Sequence, residues 1–407
     1  MLVTTMRILT MIAALACACG GKKDPPTEPR GADDAAPAPV AADASVATAD
    51  AALPRIDRPD PPRDPGPARV TQLSLGSNFG CARMSDDTLR CWGDNGWHQL
   101  GVDPATTTPG TVVTPPVTDV VEVAAGYAFT CVRKRDRRVW CWGYDLNGEL
   151  GAASGVTTHV PVQIARIEDA MALAAGMRGG CVVRTDATVG CWGDNTYGQL
   201  GDGTTTPHHG PTQALVDHAS AVTVDGDTCV VRDDGSLWCW GGNQGTRPTA
   251  VTITDVVAAS VGGGTSCAIK QGGAVVCWGQ NDSGQLGHDG PPSAVPVEVS
   301  GLPGATQVSA QGAHVCALAG GSVWCWGAHW SNPGFARSCL QMTRHTGGGG
   351  GGGGSPAQWH YCPRATKVPG LTDVIAIDTQ DHGGGCALKR DGTIACWDAK
   401  AVTPLAL

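Results

Sequence analysis

The 407-residue sequence predicts an all-β chain, folded as a seven-bladed β-propeller of about four strands per blade with one loop insertion. Three observations carry that prediction. A Cys-Trp pair recurs seven times, its cysteines being Cys91, Cys141, Cys191, Cys239, Cys277, Cys325 and Cys396. Each of these cysteines has an upstream partner, in order Cys81, Cys131, Cys181, Cys229, Cys267, Cys316 and Cys386, ten residues away in six cases and nine in the last but one. Glycine supplies 58 residues, as a chain of short strands and many turns requires. A unit repeated at such a period is one supersecondary element that stacks on its neighbours to bury a core.

In chain order, Met1 to Arg7 is a short lead with one positive charge, and Ile8 to Ala18 is apolar. That run is too short to cross a bilayer as a helix and suits the apolar core of a signal peptide. It ends in Leu15-Ala16-Cys17-Ala18-Cys19-Gly20-Gly21, which resembles the lipobox of bacterial lipoproteins. The resemblance implies a signal peptide over 1–19 and acylation at Cys19, with Cys17 as the second register. Residues 20–68 are rich in Ala, Pro, Asp and Arg and have no apolar periodicity. Such a composition buries too little surface to order itself, so the segment is expected to be a disordered tether. The propeller is expected over 69–407.

Within each repeat the Cys pair frames a hairpin. In Cys229-Val-Val-Arg-Asp-Asp-Gly-Ser-Leu-Trp-Cys239, a loop at Asp233-Asp234-Gly235 sets Cys229 against Cys239, Val230 against Trp238 and Val231 against Leu237. A three-residue hairpin loop takes a left-handed residue last, and Gly235, Gly273 and Gly392 stand there. In the nine-residue repeat, Gly320-Gly321 forms a two-residue loop, so the turn loses one residue and the cysteines stay opposite. Directly opposed residues lie within disulfide range. Seven disulfides within blades are therefore expected, Cys81–Cys91, Cys131–Cys141, Cys181–Cys191, Cys229–Cys239, Cys267–Cys277, Cys316–Cys325 and Cys386–Cys396. Residues such as Val183, Val189, Val230 and Trp238 make both faces of the hairpins apolar. Stacked blades bury both faces of a sheet. Upstream runs such as Val120 to Ala124, and Pro-initiated runs such as Pro161 to Ile164, bring the count to four strands.

After the Cys-Trp comes a polar tail, cleanest in Trp192 to Gly201 and Trp278 to Gly287. Glu149 replaces Gln in the second tail, and His98 departs from the pattern in the first. The consensus Trp-Gly-x-Asn-x-x-Gly-Gln-Leu-Gly resembles the repeat of the regulator of chromosome condensation family, including its alpha-tubulin suppressor-like members. The resemblance spans about 70–397 and implies one closed seven-bladed ring. Repeat four is truncated after Asn243, repeat six diverges after Gly327, and repeat seven has Asp398 in place of Gly. The last residues, Ala401 to Leu407, contain Val402-Thr-Pro-Leu405 and are expected to close the ring by pairing near Val70 to Leu75.

The insertion covers about 328–363 and holds eight consecutive glycines, Gly347 to Gly354. It also holds Cys339 and Cys362, the only cysteines of the folded region outside the pattern, expected to form an eighth disulfide at the base of a surface loop. With His345 and His360 they could instead bind zinc, but the spacing matches no standard finger. Trp330, Phe335, Trp359 and Tyr361 concentrate aromatics there, packed on the blade or offered to a partner.

Charged residues are 16% of the chain, the net charge is −9, and no basic patch stands out, which argues against nucleic acid as a partner. Eighteen cysteines point to an oxidising compartment. No Gly-x-Ser-x-Gly, His-Glu-x-x-His or phosphate loop occurs, and His208-His209 reads as an ordinary loop pair. The expectation is a monomeric, lipid-anchored protein at the outer membrane or cell surface. It is expected to be non-catalytic, to need no cofactor or metal, and to bind a protein or envelope ligand. The alternatives are an enzyme at the propeller face and a secreted inhibitor, since the resembled family includes a secreted inhibitor of β-lactamase. Guanine nucleotide exchange, the activity of the family's nuclear founder, is not expected of an exported chain.

Overall fold

In the computed structural model the described residues are 59–63, 66–108, 110–152, 155–330, 340–342, 359–380, 383–398 and 401–407. The expected signal peptide, Cys17, Cys19 and the tether up to residue 58 lie outside them.

Seven antiparallel sheets follow one another along the chain as the blades of a β-propeller. The first contains β1 (Val70–Leu75), β2 (Phe79–Met84) and β3 (Leu89–Gly93), and a single bridge from Cys91 to Val113 stands where a fourth strand would be. Blades two to five and blade seven have four strands, and blade six has five. The first strand of each blade lies innermost, and each inner strand packs on the next around the ring.

The hairpin register is the one that opposed cysteines require. Cys131 faces Cys141, Cys181 faces Cys191, and Cys229 faces Cys239, with Val230 on Trp238 and Val231 on Leu237 beside the last pair. All seven expected pairs are disulfide-bonded. The Cα–Cα distance is 4.1 Å in Cys81–Cys91, Cys131–Cys141, Cys181–Cys191, Cys229–Cys239, Cys267–Cys277 and Cys316–Cys325, and 3.9 Å in Cys386–Cys396. Gly320 and Gly321 both take positive φ, as a two-residue hairpin turn demands. The equivalent left-handed position is held by Asp87 in the first blade, at φ 65°.

Three expectations need correction. The strand Val402–Leu405 pairs with Ile394–Trp397 and completes blade seven, not blade one. Closure is instead side by side. Leu405 packs against the cluster of Val70, Leu73, Leu75 and Ile394, the Leu75 amide donates to Asp378 (2.9 Å), and Gln380 donates to the Phe79 carbonyl (3.3 Å). The insertion is not simply a loop, because Ser322–Trp330 and Trp359–Lys367 run on as paired strands, with Leu340–Met342 at the edge. Alternation in Trp359 to Lys367 lets that segment extend the sheet. Cys362 is buried and disulfide-bonded, which excludes it as a zinc ligand. Its expected partner Cys339, together with His345, Phe335 and the glycine run, lies outside the described residues. Finally, the end of the tether is ordered. Residues 59–63 dock on blades one and two through Asp60–Arg133 (2.7 Å), Arg63–Asp87 (2.7 Å) and Arg135 to the Pro61 carbonyl (2.9 Å).

Candidate functional site

The propeller has two unlike faces. One carries the hairpin turns beside the cysteines, and the other carries the polar tails together with the turns between the first two strands. The tails make a seam between blades. In the first, Asn95 Oδ1 accepts from the Leu100 amide (3.0 Å) and Gln99 Oε1 accepts from the Trp97 amide (2.8 Å). The same two bonds recur at Asn195 and Gln199, and at Asn281 and Gln285. Asn and Gln therefore stand in the motif because they close the backbone on itself, as short polar side chains do in turns. The loop so formed aims one carbonyl at the next blade. Indole Nε1 of Trp142, Trp192, Trp240 and Trp326 donates to the carbonyl of Gln99, Glu149, Gln199 and Gln285 respectively, at 2.9–3.0 Å. The leucine that follows, Leu100, Leu150, Leu200 or Leu286, is at most 2% exposed and fills the wedge. The closing glycine is required by shape, since a Cβ on Gly201 would lie 2.5 Å from Trp240 Nε1 and its φ is +71°.

Residues of all seven blades line the central channel at a cavity of about 130 Å³, with polar side chains from blades one, four, five, six and seven. Asp378 is the carboxylate at its wall. It accepts from the Leu75 amide (2.9 Å), the Thr379 amide (2.9 Å) and the Ser309 hydroxyl (3.0 Å). Burial outweighs these donors and pushes its carboxyl up to about 6. Asp225 accepts from the Gly263 amide across the seam between blades four and five (3.2 Å). Both carboxylates join neighbouring blades, so the channel chemistry serves ring closure. Among the described residues no group of three or more His, Cys, Asp or Glu side chains is placed to hold a metal.

The hairpin-turn face bears a charged cluster centred on Asp87, whose side chain is 1% exposed. Burial favours the neutral acid, but Arg135, Arg63 and Arg83 together hold the carboxyl below its ordinary range. Arg83 and Arg135 approach it at 2.6 Å. This cluster clamps residues 59–63, so the chain enters the propeller from this face.

The tail face is different. Trp97, Tyr127, Leu146, Met177 and Tyr197 are exposed there on blades one to three, and Val295 of blade five, also exposed, lines a cleft with Tyr197. Trp97 meets Tyr144 edge to face at 5.1 Å, and His98 stacks on His159 at 5.6 Å. Adjacent turns are joined by backbone bonds, from Ser77 to Tyr127 and from Tyr127 to Gly176 (both 3.1 Å). The seven repeat disulfides, Cys131–Cys141 and Cys181–Cys191 of blades two and three among them, are structural staples inside the blades and reach neither face's centre. Sequence reasoning missed the tail-face arc, because its members sit at the variable positions of the tail and in short turns. The aromatic pair Trp330 and Trp359 is placed on paired strands of blade six instead.

Comparison with known proteins agrees with this architecture. Residues 70–99, 120–149 and 256–285 match one form of the regulator of chromosome condensation (RCC1) repeat, and residues 86–133 and 272–318 match another. No curated protein matches the chain. Among solved structures it is similar to Prp20p of Saccharomyces cerevisiae, whose binding to Gsp1p and histones was studied, with 17% identity, a TM-score of 0.62 and coverage of 79% of this chain and 84% of that one. It is similar to human WBSCR16 at 20% identity and a TM-score of 0.60, over 76% of this chain and 85% of that one. PorZ, a surface component of the type-IX secretion system of Porphyromonas gingivalis, shares 8% identity at a TM-score of 0.50, over 84% of this chain and 39% of its own.

Proposed function

We propose that this chain is an exported, lipid-anchored RCC1-repeat propeller that binds a protein partner through the tail face of blades one to three, without catalysis. The supporting observation is the exposed aromatic arc from Trp97 to Tyr197. Exposed Trp and Tyr are the residues that dominate binding energy when a partner covers them. Two further features fit. Seven disulfides within blades suit an oxidising compartment. The clamp on residues 59–63 ties the incoming chain to the hairpin-turn face, which leaves the tail face free if the N-terminus is held at a membrane. Among the described residues no helix is long and apolar enough to cross a membrane. The lipobox-like run ending at Cys19, with Cys17 as the second register, supports anchoring by an acyl group.

The test is affinity purification of the tethered protein from its own cell envelope after mild crosslinking. The wild-type chain should retain a defined protein, and Trp97→Ala with Tyr127→Ala should lose it. Val257→Ala, exposed elsewhere on the ring, should retain it. Retention by the aromatic double variant would overturn the assignment. Mass spectrometry of the mature N-terminus checks the anchor, and a product cleaved elsewhere without lipid would refute it.

A further inference from the structure

The fourth tail is the one that breaks off. After Trp240 the chain makes a short 3-10 turn at Gly242–Gln244 and passes directly to the two-residue strand Thr249–Ala250. The Gly-Gln-Leu-Gly segment that fills four other wedges is missing here, and the core cluster between blades four and five contains no tail leucine. In its place is an open cleft of about 840 Å³, a volume within the usual range for ligand sites.

What lines the cleft decides what it takes. Trp278 is the indole that should receive a carbonyl from the fourth tail, and Ser266 lies beside it, the two facing each other across the hairpin. In blade two the equivalent pair grips a single oxygen: Trp142 Nε1 and Thr130 Oγ1 both donate to the Gln99 carbonyl, at 3.0 and 2.8 Å. In blade four Trp240 Nε1 and Thr228 Oγ1 do the same to Gln199, at 2.9 and 2.8 Å. Blade five keeps both donors and has no carbonyl to receive them. Trp278 is 5% and Ser266 2% exposed, and neither side chain bonds to another described residue. Both donor atoms open onto the cleft rather than being sealed in the core, so an incoming carbonyl can reach them.

We propose that this cleft is a peptide site that accepts a leucine-bearing turn of a partner protein. Trp278 and Ser266 take the carbonyl of the residue before the leucine, and the leucine fills the wedge. The occupied wedges of the same chain are the template for the occupant. A glycine follows the leucine because the indole leaves no room for a Cβ, as at Gly101 and Gly201. Asp227, which burial holds above the ordinary carboxylate range despite a bond from Gln244, lines the cleft near the break in the chain. Tyr197 of the tail-face arc also lines the cleft, so the two readings are separated by varying Trp97 and Tyr127, which do not.

The probe is a synthetic peptide, Asn-Thr-Tyr-Gly-Gln-Leu-Gly-Asp, which copies residues 195–202. It is titrated calorimetrically into the oxidised mature protein. Saturable one-to-one binding is expected. Replacing the peptide leucine by alanine should weaken it roughly tenfold or more, the worth of a buried leucine side chain. Trp278→Phe and Ser266→Ala should each weaken it by roughly five- to tenfold, the worth of one hydrogen bond. Ser266→Ala removes only a hydroxyl and so keeps the test open if Trp278→Phe disturbs the core. Insertion of Gly-Gln-Leu-Gly after Asn243 should fill the wedge from within, raise the melting temperature and abolish binding. Trp97→Ala with Tyr127→Ala should bind the peptide normally. Absence of saturable binding at millimolar peptide, indifference to Ser266→Ala, or undiminished binding by the folded graft would overturn the proposal. A concentration-dependent dimer abolished by the graft would also overturn it, by assigning the cleft to a second copy of this chain.

Discussion

Reduction of the disulfides should unfold the propeller rather than loosen it. Each staple closes a loop of about ten residues, and in the chain-entropy model such a loop is worth about 2.7 kcal/mol at 25 °C. The loops neither overlap nor nest, so their contributions add to first order, and seven give about 19 kcal/mol. Domains are stable by about 5–15 kcal/mol in total, so even half that figure rivals the whole. A single pair replaced in Cys267→Ala with Cys277→Ala removes about 2.7 kcal/mol plus a small cavity term. The unfolding entropy of a propeller this size converts that to a fall of about 4 °C in Tm. The assay is thermal unfolding followed by tryptophan near-UV circular dichroism, for oxidised, single-pair and fully reduced and alkylated protein. The alkylated chain should lack the near-UV signal at 25 °C. A cooperative transition within a few degrees of the oxidised protein would show that the hairpins hold without their staples and would refute the reasoning.

Three other outcomes follow from named groups. Asp378 has its folded pKa raised to about 6 from 3.8, so its stabilising effect is complete below the unfolded value and is lost as pH rises through about 6. That amounts to about 3 kcal/mol, visible as a decline in stability between pH 4 and 6 that Asp378→Asn should abolish. Glu149, where other tails have Gln, is also raised by burial. Glu149→Gln should therefore raise Tm at pH 7, and the gain should vanish at pH 4 where the wild-type carboxyl is neutral. Asp87→Asn preserves a residue tolerant of the left-handed backbone but leaves Arg83, 3% exposed, without its counter-charge. It should cost about 3 kcal/mol by denaturant titration and speed proteolysis at residues 59–63, and unchanged proteolysis would show that the clamp does not depend on Asp87.

The hairpins are readable in detail because a strand has a side-chain period of two and because glycine marks the turns. Cys131–Cys141 and Cys181–Cys191 have no glycine at the loop's last position, where Arg137 and Ala187 take the left-handed backbone at φ 65° and 66°, yet the spacing of ten still sets their register. The shift from ten residues to nine at Cys316–Cys325 identifies opposed cysteines as the constraint. The tails are readable as a pattern but not as a device. Asn195 and Gln199 look like solvent-facing loop residues, yet they are buried at 0% and 6% exposure, since each satisfies the backbone of its own turn. Asp87 looks like one more turn residue. Its partners Arg63 and Arg135 are distant in sequence, and nothing local announces a buried charge. The Pro-initiated run at Val402 reads as a strand, but its blade does not follow from that. Alternation identifies a strand, whereas its partner is set by which edge is vacant, and the edge of Ile394–Trp397 is nearer than that of blade one.

The division of labour between staples and tails explains where this ring is open to function. Every repeat disulfide lies within a blade, so none of the seven resists separation of one blade from the next. That resistance comes from the tail carbonyl on the neighbouring tryptophan, from the wedge leucine, and from inner-strand side chains such as Gln72, which bonds both amide and carbonyl of Val123 (3.0 and 2.9 Å). Gln307 repeats that bond on Ile377 between blades six and seven (2.9 and 2.7 Å). Three seams lack a tail. Between blades six and seven, Cys362 enters the core cluster at the wedge, and the paired strands around it seal the edge. Between blades seven and one, Leu405 and the Asp378 and Gln380 bonds close the ring. Between blades four and five Asp225 accepts from the Gly263 amide at the channel (3.2 Å), but among the described residues no leucine fills the wedge, and the donors of Trp278 and Ser266 face an open cleft. The seam between blades four and five thus has donors that open onto a cleft, and an occupant that supplies a carbonyl and a leucine would stabilise the fold as it binds. Peptide binding and thermal stability should accordingly rise together in the wild-type chain and be uncoupled only in the graft, where the seam is already filled.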